Sequence, residues 1–174
     1  MKASIKLITL SSLICCICIF FAQRYYANSH EPFLYNINKE EFIQMQDSYK
    51  FSQRVYDLYN LVVVLKKYKD DHGIYPISSK NGKGWDGLYS KYGESRTDWI
   101  KGLAPNYIAQ LPRDPRNHTI DVEQYFYLSD GVNFKLISFH PTDCHTVKEK
   151  WPKLIDPRRG CGAYGFWTLN AWGH

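Results

Sequence analysis

Cys144 and Cys161 are the residues whose type and position most readily suggest chemistry, because the other three cysteines lie in an apolar stretch near the N-terminus. Two cysteines in an exported domain most often form a structural disulfide, and we predict that bond here. Two sharper hypotheses stay open: His140 and His145 could complete a Cys2His2 metal site, or either could activate Cys144 as a nucleophile. Among these four residues, however, no pair has the Cys-x-x-Cys or His-x-x-x-His spacing that prepares metal ligands. We therefore expect no metal, no cofactor and no catalytic residue.

A second group combines carboxylates with tryptophans. Asp86, Glu94 and Asp98 flank Trp85 and Trp99, which could place acids beside a sugar ring stacked on an indole. A glycosidase needs two carboxyl groups at a set separation, and nothing in this spacing fixes one. We expect both tryptophans in the core or at its rim. A hydrolase is therefore the last of the functions considered, and the chain is predicted not to be an enzyme.

The composition indicates a globular domain with a substantial core. The chain has 174 residues, of which 44% are hydrophobic and 16% aromatic. That length allows one domain plus an anchor. Of the 22 basic residues, three precede the first acidic residue, Glu31, which leaves 19 basic against 17 acidic side chains beyond them. So small an excess of positive charge gives no reason to expect nucleic-acid binding.

The N-terminal region predicts export. Residues 7–22 carry no charge, follow Lys2 and Lys6, and precede the aromatic pair Tyr25-Tyr26. The stretch is shorter than the ~20 residues of a typical spanning helix, but extending it brings the two tyrosines to interfacial depth. We predict an uncleaved membrane anchor over residues 1–26.

Two alternatives to that anchor stay open, and both also export the domain. They are a cleaved signal peptide and a lipid attached to Cys15 or Cys16. An anchor would contact the membrane through residues 5–26. Residues 27–37 contain Asn, Ser and Pro and predict a linker, and residues 38–174 predict the exported domain.

A long amphipathic helix is predicted to follow the linker. Apolar residues recur at intervals of three and four, which places them on one face: Phe51, Val55, Leu58, Val62 and Leu65. That face is predicted to be widened by Tyr49, Tyr56, Tyr59 and Val63. Asn38 and Glu41 match a capping box, while Gly73 indicates the end and His72 is predicted to interact with that terminus. Such a face suits packing against a sheet.

Downstream the apolar period changes from helical to alternating. Residues 123–139 predict a β-hairpin with its turn at 129–131. The second arm alternates between one face with Phe134 and Leu136 and another with Lys135, Ile137 and Phe139. Residues 163–172 predict a last strand, and residues 140–162 an irregular excursion. A short helical piece, broken at a proline, is expected over residues 97–111.

Three short motifs follow one another in a characteristic order. They are -Asp-x-x-Gly-x-Tyr-Pro- at 70–76, -Leu-Pro-x-Asp-Pro- at 111–115, and a hairpin with Tyr-x-Tyr and Asp-Gly. Over about residues 55–139 the chain thereby resembles the G-type major pseudopilins of bacterial type II secretion and the wider type IV pilin-like group. The resemblance depends on Gly73, Tyr75, Pro76, Leu111, Pro112, Asp114, Pro115, Asp130 and Gly131.

The resemblance implies an α+β, pilin-like fold, with one long helix laid on a small antiparallel sheet behind an N-terminal membrane helix. It also implies a single-pass protein of the bacterial inner membrane with its C-terminal domain in the periplasm. Three features differ from the family. Residues 1–7 lack the Gly-Phe-x-x-x-Glu processing site, Pro32 interrupts the path to the membrane, and the family's calcium loop is represented only by Asp143, Glu149 and Asp156.

The leading functional hypothesis is a non-enzymatic, membrane-anchored pseudopilin-like envelope protein. It would act through protein–protein contacts and be linked to type II secretion. Its expected partners are envelope or secretion-system proteins, and nucleic acid is not among them. The alternative is an exported module that reuses the fold and binds a glycan or another ligand through exposed aromatic residues.

Overall fold

The computed structural model describes residues 53–171 and 173–174, which belong to one compact unit. The predicted anchor at 1–26, the linker at 27–37 and the predicted start of the long helix lie outside the described residues. In the part of the chain that the structure describes, no helix is both long enough and apolar enough to cross a membrane.

Helix α1, Gln53–His72, contains the predicted apolar seam from Val55 to Leu65, while Phe51 and Tyr49 lie outside the described residues. Its fully buried residues are Val55, Leu58, Leu61, Val62 and Leu65. The prediction that Tyr56 and Val63 widen this face is wrong, because 43% and 49% of these residues are exposed. Successive residues turn by about 100° around a helix, so each position two residues before Leu58 or Leu65 faces away from the core.

The helix ends where the sequence predicts. Gly73 adopts φ +79°, and its backbone amide donates a hydrogen bond to the carbonyl of Lys69 at 2.7 Å. Glycine reaches this left-handed conformation without the steric cost that a side chain imposes. Nδ1 of His72 lies 2.9 Å from the carbonyl oxygen of Tyr68, so the histidine does interact with the helix terminus.

Four antiparallel strands form one sheet in the order β1-β2-β4-β3. They are β1 (Tyr125–Ser129), β2 (Phe134–Phe139), β3 (Ile155–Asp156) and β4 (Gly160–Trp167). The predicted hairpin is confirmed as β1 and β2, with Tyr127 opposite Leu136. The last strand is also present, but it ends at Trp167 and a 3-10 turn, Leu169–Ala171, follows.

The main core lies between α1 and one side of the sheet. Alternate strand residues point toward the helix, and they are bulky: Tyr125, Tyr127, Phe134, Leu136, Tyr164 and Phe166. The ring of Phe166 meets that of Tyr59 edge-on, with centroids 5.7 Å apart. Burying one such aliphatic or aromatic side chain contributes about 1.5–3 kcal/mol. The predicted α+β class, a helix on a small antiparallel sheet, is therefore confirmed.

The prediction of a helical piece over residues 97–111 is wrong, since these residues form successive turns. Gly102 has φ +84°, outside the α-helical region, and Pro105 has no backbone N–H to donate. Trp99 and Leu103 are nevertheless buried, with 2% and 0% exposed. The helical spacing of these apolar residues therefore indicates that they are buried, but not that they lie in a helix.

The excursion at 140–162 has more regular structure than predicted. It contains helix α2, Cys144–Lys150, a 3-10 turn, Pro152–Leu154, and strand β3. Helix α2 has seven residues, of which only Cys144 and Val147 are buried. Two buried positions are too few to show a helical period in the sequence. A bond joins Cys144 to Cys161, with Cα atoms 5.5 Å apart, which confirms the predicted disulfide.

Candidate functional site

The disulfide removes both sharper hypotheses for the region around it. The sulfurs of Cys144 and Cys161 are bonded to each other, so neither offers a thiolate to a metal or to a substrate. Asp143 pairs with Arg54, whereas Asp156 pairs with Lys135 and Arg159. These two acids therefore do not form one cation site together. Within residues 53–171 and 173–174, no group of three or more His, Cys, Asp or Glu could hold a metal ion.

The acids beside the tryptophans have structural partners. The carboxylate of Asp86 accepts hydrogen bonds from the backbone amides of Ser79 at 2.8 Å and Glu94 at 2.7 Å. Trp99 lies in the core with 2% exposed, and Trp85 is half-buried at the rim of the sheet. Both tryptophans thus occupy the positions that the sequence predicts. Asp86 holds the loop closed, and the carboxylates of Glu94 and Asp98 pair with Arg96.

Asp114 of the pilin-like motif is a buried brace between its turn and α1. Its carboxylate accepts hydrogen bonds from Nε of Arg54 at 2.8 Å and Nε of Arg116 at 2.9 Å. Burial raises the pKa of the Asp114 carboxyl, but the hydrogen bonds from both arginines outweigh burial and hold that pKa below its usual value. The turn around it contains Leu111, Pro112 and Pro115.

The other motif residues meet where α1 ends and the hairpin turns; they are Gly73, Tyr75, Pro76, Asp130 and Gly131. The backbone amide of Tyr75 donates to the carbonyl of Gly131 at 2.8 Å. The hydroxyl of Tyr127 donates to the carbonyl of Pro76 at 2.8 Å. The Asp130 carboxylate accepts from the amide of Asn133 at 2.7 Å, which closes the turn. These motif residues therefore fasten the helix end to the hairpin.

Exposed aliphatic side chains surround this junction. We call Ile74, Ile77 and Val132 the apical patch; their exposed fractions are 44%, 49% and 65%. Two of them lie over Gly131, because a Cβ at that position would be 3.1 Å from Cγ1 of Ile77 and 3.8 Å from Cβ of Ile74. Clustered exposed aliphatic groups are typical of protein contact surfaces.

The side of the sheet away from α1 is also apolar. Phe126, Ile137 and Ala163 are buried there, and Trp85 and Phe139 pack against them. The rings of Phe126 and Phe139 meet edge-on, with centroids 5.6 Å apart. A cavity of about 300 Å³ opens on this side, and we call it the outer hollow; it is lined by Trp85, Tyr92, Phe126, Ile137, Phe139 and Arg159.

The loop before β1 positions two walls of the outer hollow. Asp86 pairs with Tyr127 through backbone hydrogen bonds of 2.8 and 2.9 Å, which holds the neighbouring Trp85 at the edge of β1. The loop then passes close beneath that tryptophan, since a Cβ on Gly93 would lie 2.4 Å from the Trp85 carbonyl oxygen. Glycine is needed at that close approach, and it presents Tyr92 to the hollow.

Basic side chains border the outer hollow near the β3–β4 turn. The guanidinium of Arg159 lies 4.9 Å from the ring centroid of Trp85. A second depression of about 440 Å³, the basic depression, is lined by Gly82, Lys83, Trp85, Leu128, Arg158, Arg159 and His174. Beneath it Lys135 pairs with Asp156 at 3.1 Å. Burial lowers the pKa of the Lys135 ammonium, although Asp156 opposes that shift.

The outer hollow was not predicted from the sequence. Its aromatic walls come from one loop and two strands, Trp85, Tyr92, Phe126 and Phe139, and a turn distant from them in sequence supplies Arg159. One signal was present, because Ile137 and Phe139 make the second face of β2 apolar as well as the first. An apolar second face indicates that something packs on that side of a sheet.

The fold defines the class of this protein as an α+β domain, in which one helix lies on a four-stranded antiparallel sheet and a disulfide closes the segment before the last strand. Comparisons with protein-family models, with curated proteins and with solved structures found no match to the chain. Function is therefore argued from its surfaces.

Proposed function

We propose that the chain is a membrane-anchored, pilin-like envelope protein that acts through protein–protein contacts and is linked to type II secretion. The observation that carries the proposal is the apical patch. Its aliphatic side chains stand on the junction built by the pilin-like motif residues, and they are 44–65% exposed. Contact of such a cluster with water is unfavourable, so a complex in which a partner surface covers it would be stabilised.

The proposed location is the inner membrane, with the C-terminal domain in the periplasm. The uncharged stretch at 7–22 supports an anchor, and the disulfide supports an oxidising compartment. No catalytic step is proposed, because the acids and cysteines considered for catalysis have structural partners in the described chain. The partners would be envelope or secretion-system proteins.

Site-specific photocrosslinking tests this proposal in the producing bacterium. A photoreactive residue placed at Val132 should form a discrete crosslink with a pilin-like protein or another component of the secretion machinery. The matched control is the same residue at Ile120, which is 44% exposed and lies outside the apical patch. The proposal fails if both positions give the same crosslinks, or if Val132 gives none.

A second candidate function is supported by the outer hollow. Its walls combine four aromatic rings with one arginine, and its volume of about 300 Å³ suits a small ring-shaped group. An exported module that binds a glycan or another ligand would use such a surface. This function is compatible with contacts at the apical patch, because the two surfaces share no residue.

A further inference from the structure

We propose that the outer hollow and the basic depression together form one binding site for an acidic polysaccharide, such as a polymer of uronic acid. The proposal rests on the second candidate function and names its ligand class. The two cavities, of about 300 and 440 Å³, share Trp85 and Arg159 as a common wall. A chain of linked sugars can therefore occupy both at once.

The outer hollow supplies the surface for sugar rings. The Tyr92 residue is 42% exposed and meets Phe126 edge-on, with ring centroids 6.0 Å apart. Sugar rings have apolar faces of C–H groups, and aromatic rings offer large, rigid apolar surfaces against which these faces can pack. Polar sugar edges would then point toward the guanidinium of Arg159 at the rim.

The basic depression selects for negative charge. No aspartate or glutamate side chain lines either cavity. Lys83, Arg158 and Arg159 line the basic depression, and Lys135 lies beneath them. Two carboxylates pair with these four cations: Asp156 and the C-terminus at His174. The resulting excess of positive charge attracts anions and disfavours a basic ligand.

The two arginines already bind acceptor oxygens at this place. Nη1 of Arg158 donates to the carbonyl of Gly173 at 2.6 Å, and Nη1 of Arg159 donates to an oxygen of the terminal carboxylate of His174 at 2.9 Å. A uronate carboxylate would offer Arg158 an acceptor with a full negative charge in place of the neutral Gly173 carbonyl, which makes the hydrogen bond stronger. A ligand carboxylate can therefore take the place of the Gly173 carbonyl at Arg158, while the carboxylate of His174 shows that Arg159 accepts an anionic partner here.

An extended peptide fits this side of the sheet less well. A peptide that binds by strand addition needs free backbone groups along a sheet edge. At the edge of β1, the backbone of Tyr127 is bonded to Asp86 and the carbonyl of Ser129 accepts from the amide of Ser78. The opposite edge strand, β3, has two residues. These observations favour a polysaccharide over a peptide.

Calorimetric titration of the full-length chain in mild detergent tests the proposal with three polymers. Polygalacturonate combines sugar rings with carboxylates, dextran has sugar rings without charge, and polyglutamate has carboxylates on a peptide. Only polygalacturonate is expected to bind with measurable affinity, and its binding should weaken as salt increases.

Two pairs of variants locate the site. Lys83→Glu and Tyr92→Ala should each weaken binding of polygalacturonate by about tenfold or more. Lys148→Glu makes the same charge change at an exposed position on α2, and Tyr56→Ala removes a tyrosine of similar exposure, 43% against 42%. Both controls should retain affinity within about twofold.

Four outcomes would overturn the proposal. Equal binding of dextran would contradict the acidic ligand but keep the glycan-binding candidate. Equal binding of polyglutamate would show that charge alone is recognised. Equal loss in the control variants would place binding elsewhere on the surface. If none of the three polymers binds, both the inference and the second candidate function fail, whereas contacts at the apical patch are still tested by the crosslinking.

Discussion

At the scale of single residues, the domain depends on charged groups that are buried together with their partners. The side chains of Arg54 and Asp114 are 8% and 2% exposed, and they join α1 to a turn 60 positions further along the chain. Removal of Asp114 leaves the buried Arg54 with its longer ion pair to Asp143, at 3.3 Å, and takes the Asp114 partner away from Arg116. That loss is far larger than the small net contribution of an exposed pair.

Asp114→Ala should therefore lower the free energy of unfolding by about 3–5 kcal/mol, measured by urea denaturation of the full-length chain. The control is Asp70→Ala, which removes the exposed pair with Lys66 on the surface of α1. That variant should change the same quantity by less than about 1 kcal/mol. Equal effects of the two substitutions would show that the buried pair does not brace the helix.

The pKa of Asp114 also predicts how stability depends on pH. Because the folded-state pKa is lowered, the stabilisation is complete above the ordinary aspartate pKa of about 3.9 and is lost as pH falls through the lower folded value. Burial raises the pKa of the Asp57 carboxyl, so protonation of this group opposes part of the loss. The stability of Asp57→Asn should therefore fall more steeply with decreasing pH than the stability of the wild type. Urea denaturation midpoints between pH 5 and about pH 2 measure this difference. An unchanged slope would contradict the assignment.

At the scale of elements, the sequence predicted those helices and strands whose apolar periodicity lies within one continuous segment. The spacing of Val55, Leu58, Val62 and Leu65 predicted α1, and Gly73 predicted its end. The alternation from Phe134 to Phe139 predicted β2. Each of these signals lies within one continuous segment, so a single sequence contains it.

The remaining elements and sites depend on contacts between distant segments. Trp99 and Leu103 have helical spacing, but Gly102 and Pro105 require turns there. Helix α2 buries too few residues to leave a period. The outer hollow combines a loop, two strands and a turn, so no stretch of sequence displays it. The sequence showed only that β2 has two apolar faces.

The buried seam of α1 provides the element-scale prediction for packing. Leu58→Ala should lower the free energy of unfolding by about 2–5 kcal/mol, because it leaves a cavity under the helix. Val63→Ala is the control on the same helix, since Val63 is 49% exposed, and it should change stability by less than about 0.5 kcal/mol. Unchanged stability of Leu58→Ala together with lost self-association would mean that the seam faces other chains.

The disulfide should contribute to stability through the loop that it closes. Cys144 and Cys161 are 17 positions apart, and a loop of that size corresponds to about 3 kcal/mol in the chain-entropy model. Replacement of both cysteines by serine should lower the free energy of unfolding by that amount. Thiol titration of the unfolded, unreduced exported domain, which excludes the three cysteines near the N-terminus, should find neither Cys144 nor Cys161 free. Detection of both thiols would contradict the bond.

At the scale of the whole molecule, the α1–sheet core supports two separate surfaces. The apical patch stands on the junction between the end of α1 and the hairpin turn, and the outer hollow lies on the far side of the sheet. Neither surface takes a residue from the other. A substitution in one should therefore leave the function of the other intact, which allows contacts and ligand binding to be tested independently.

The proposal that the chain serves secretion through contacts is tested most directly by comparing the secreted proteins of the producing bacterium with and without it. Deletion should retain type II substrates in the periplasm, as measured by quantitative mass spectrometry of medium and periplasm. The wild-type chain and the Ile120→Asp control should restore their release. A chain with Ile74→Asp and Val132→Asp, made in equal amount, should not restore it. Unchanged secretion after deletion, or full restoration by the doubly substituted chain, would contradict the account.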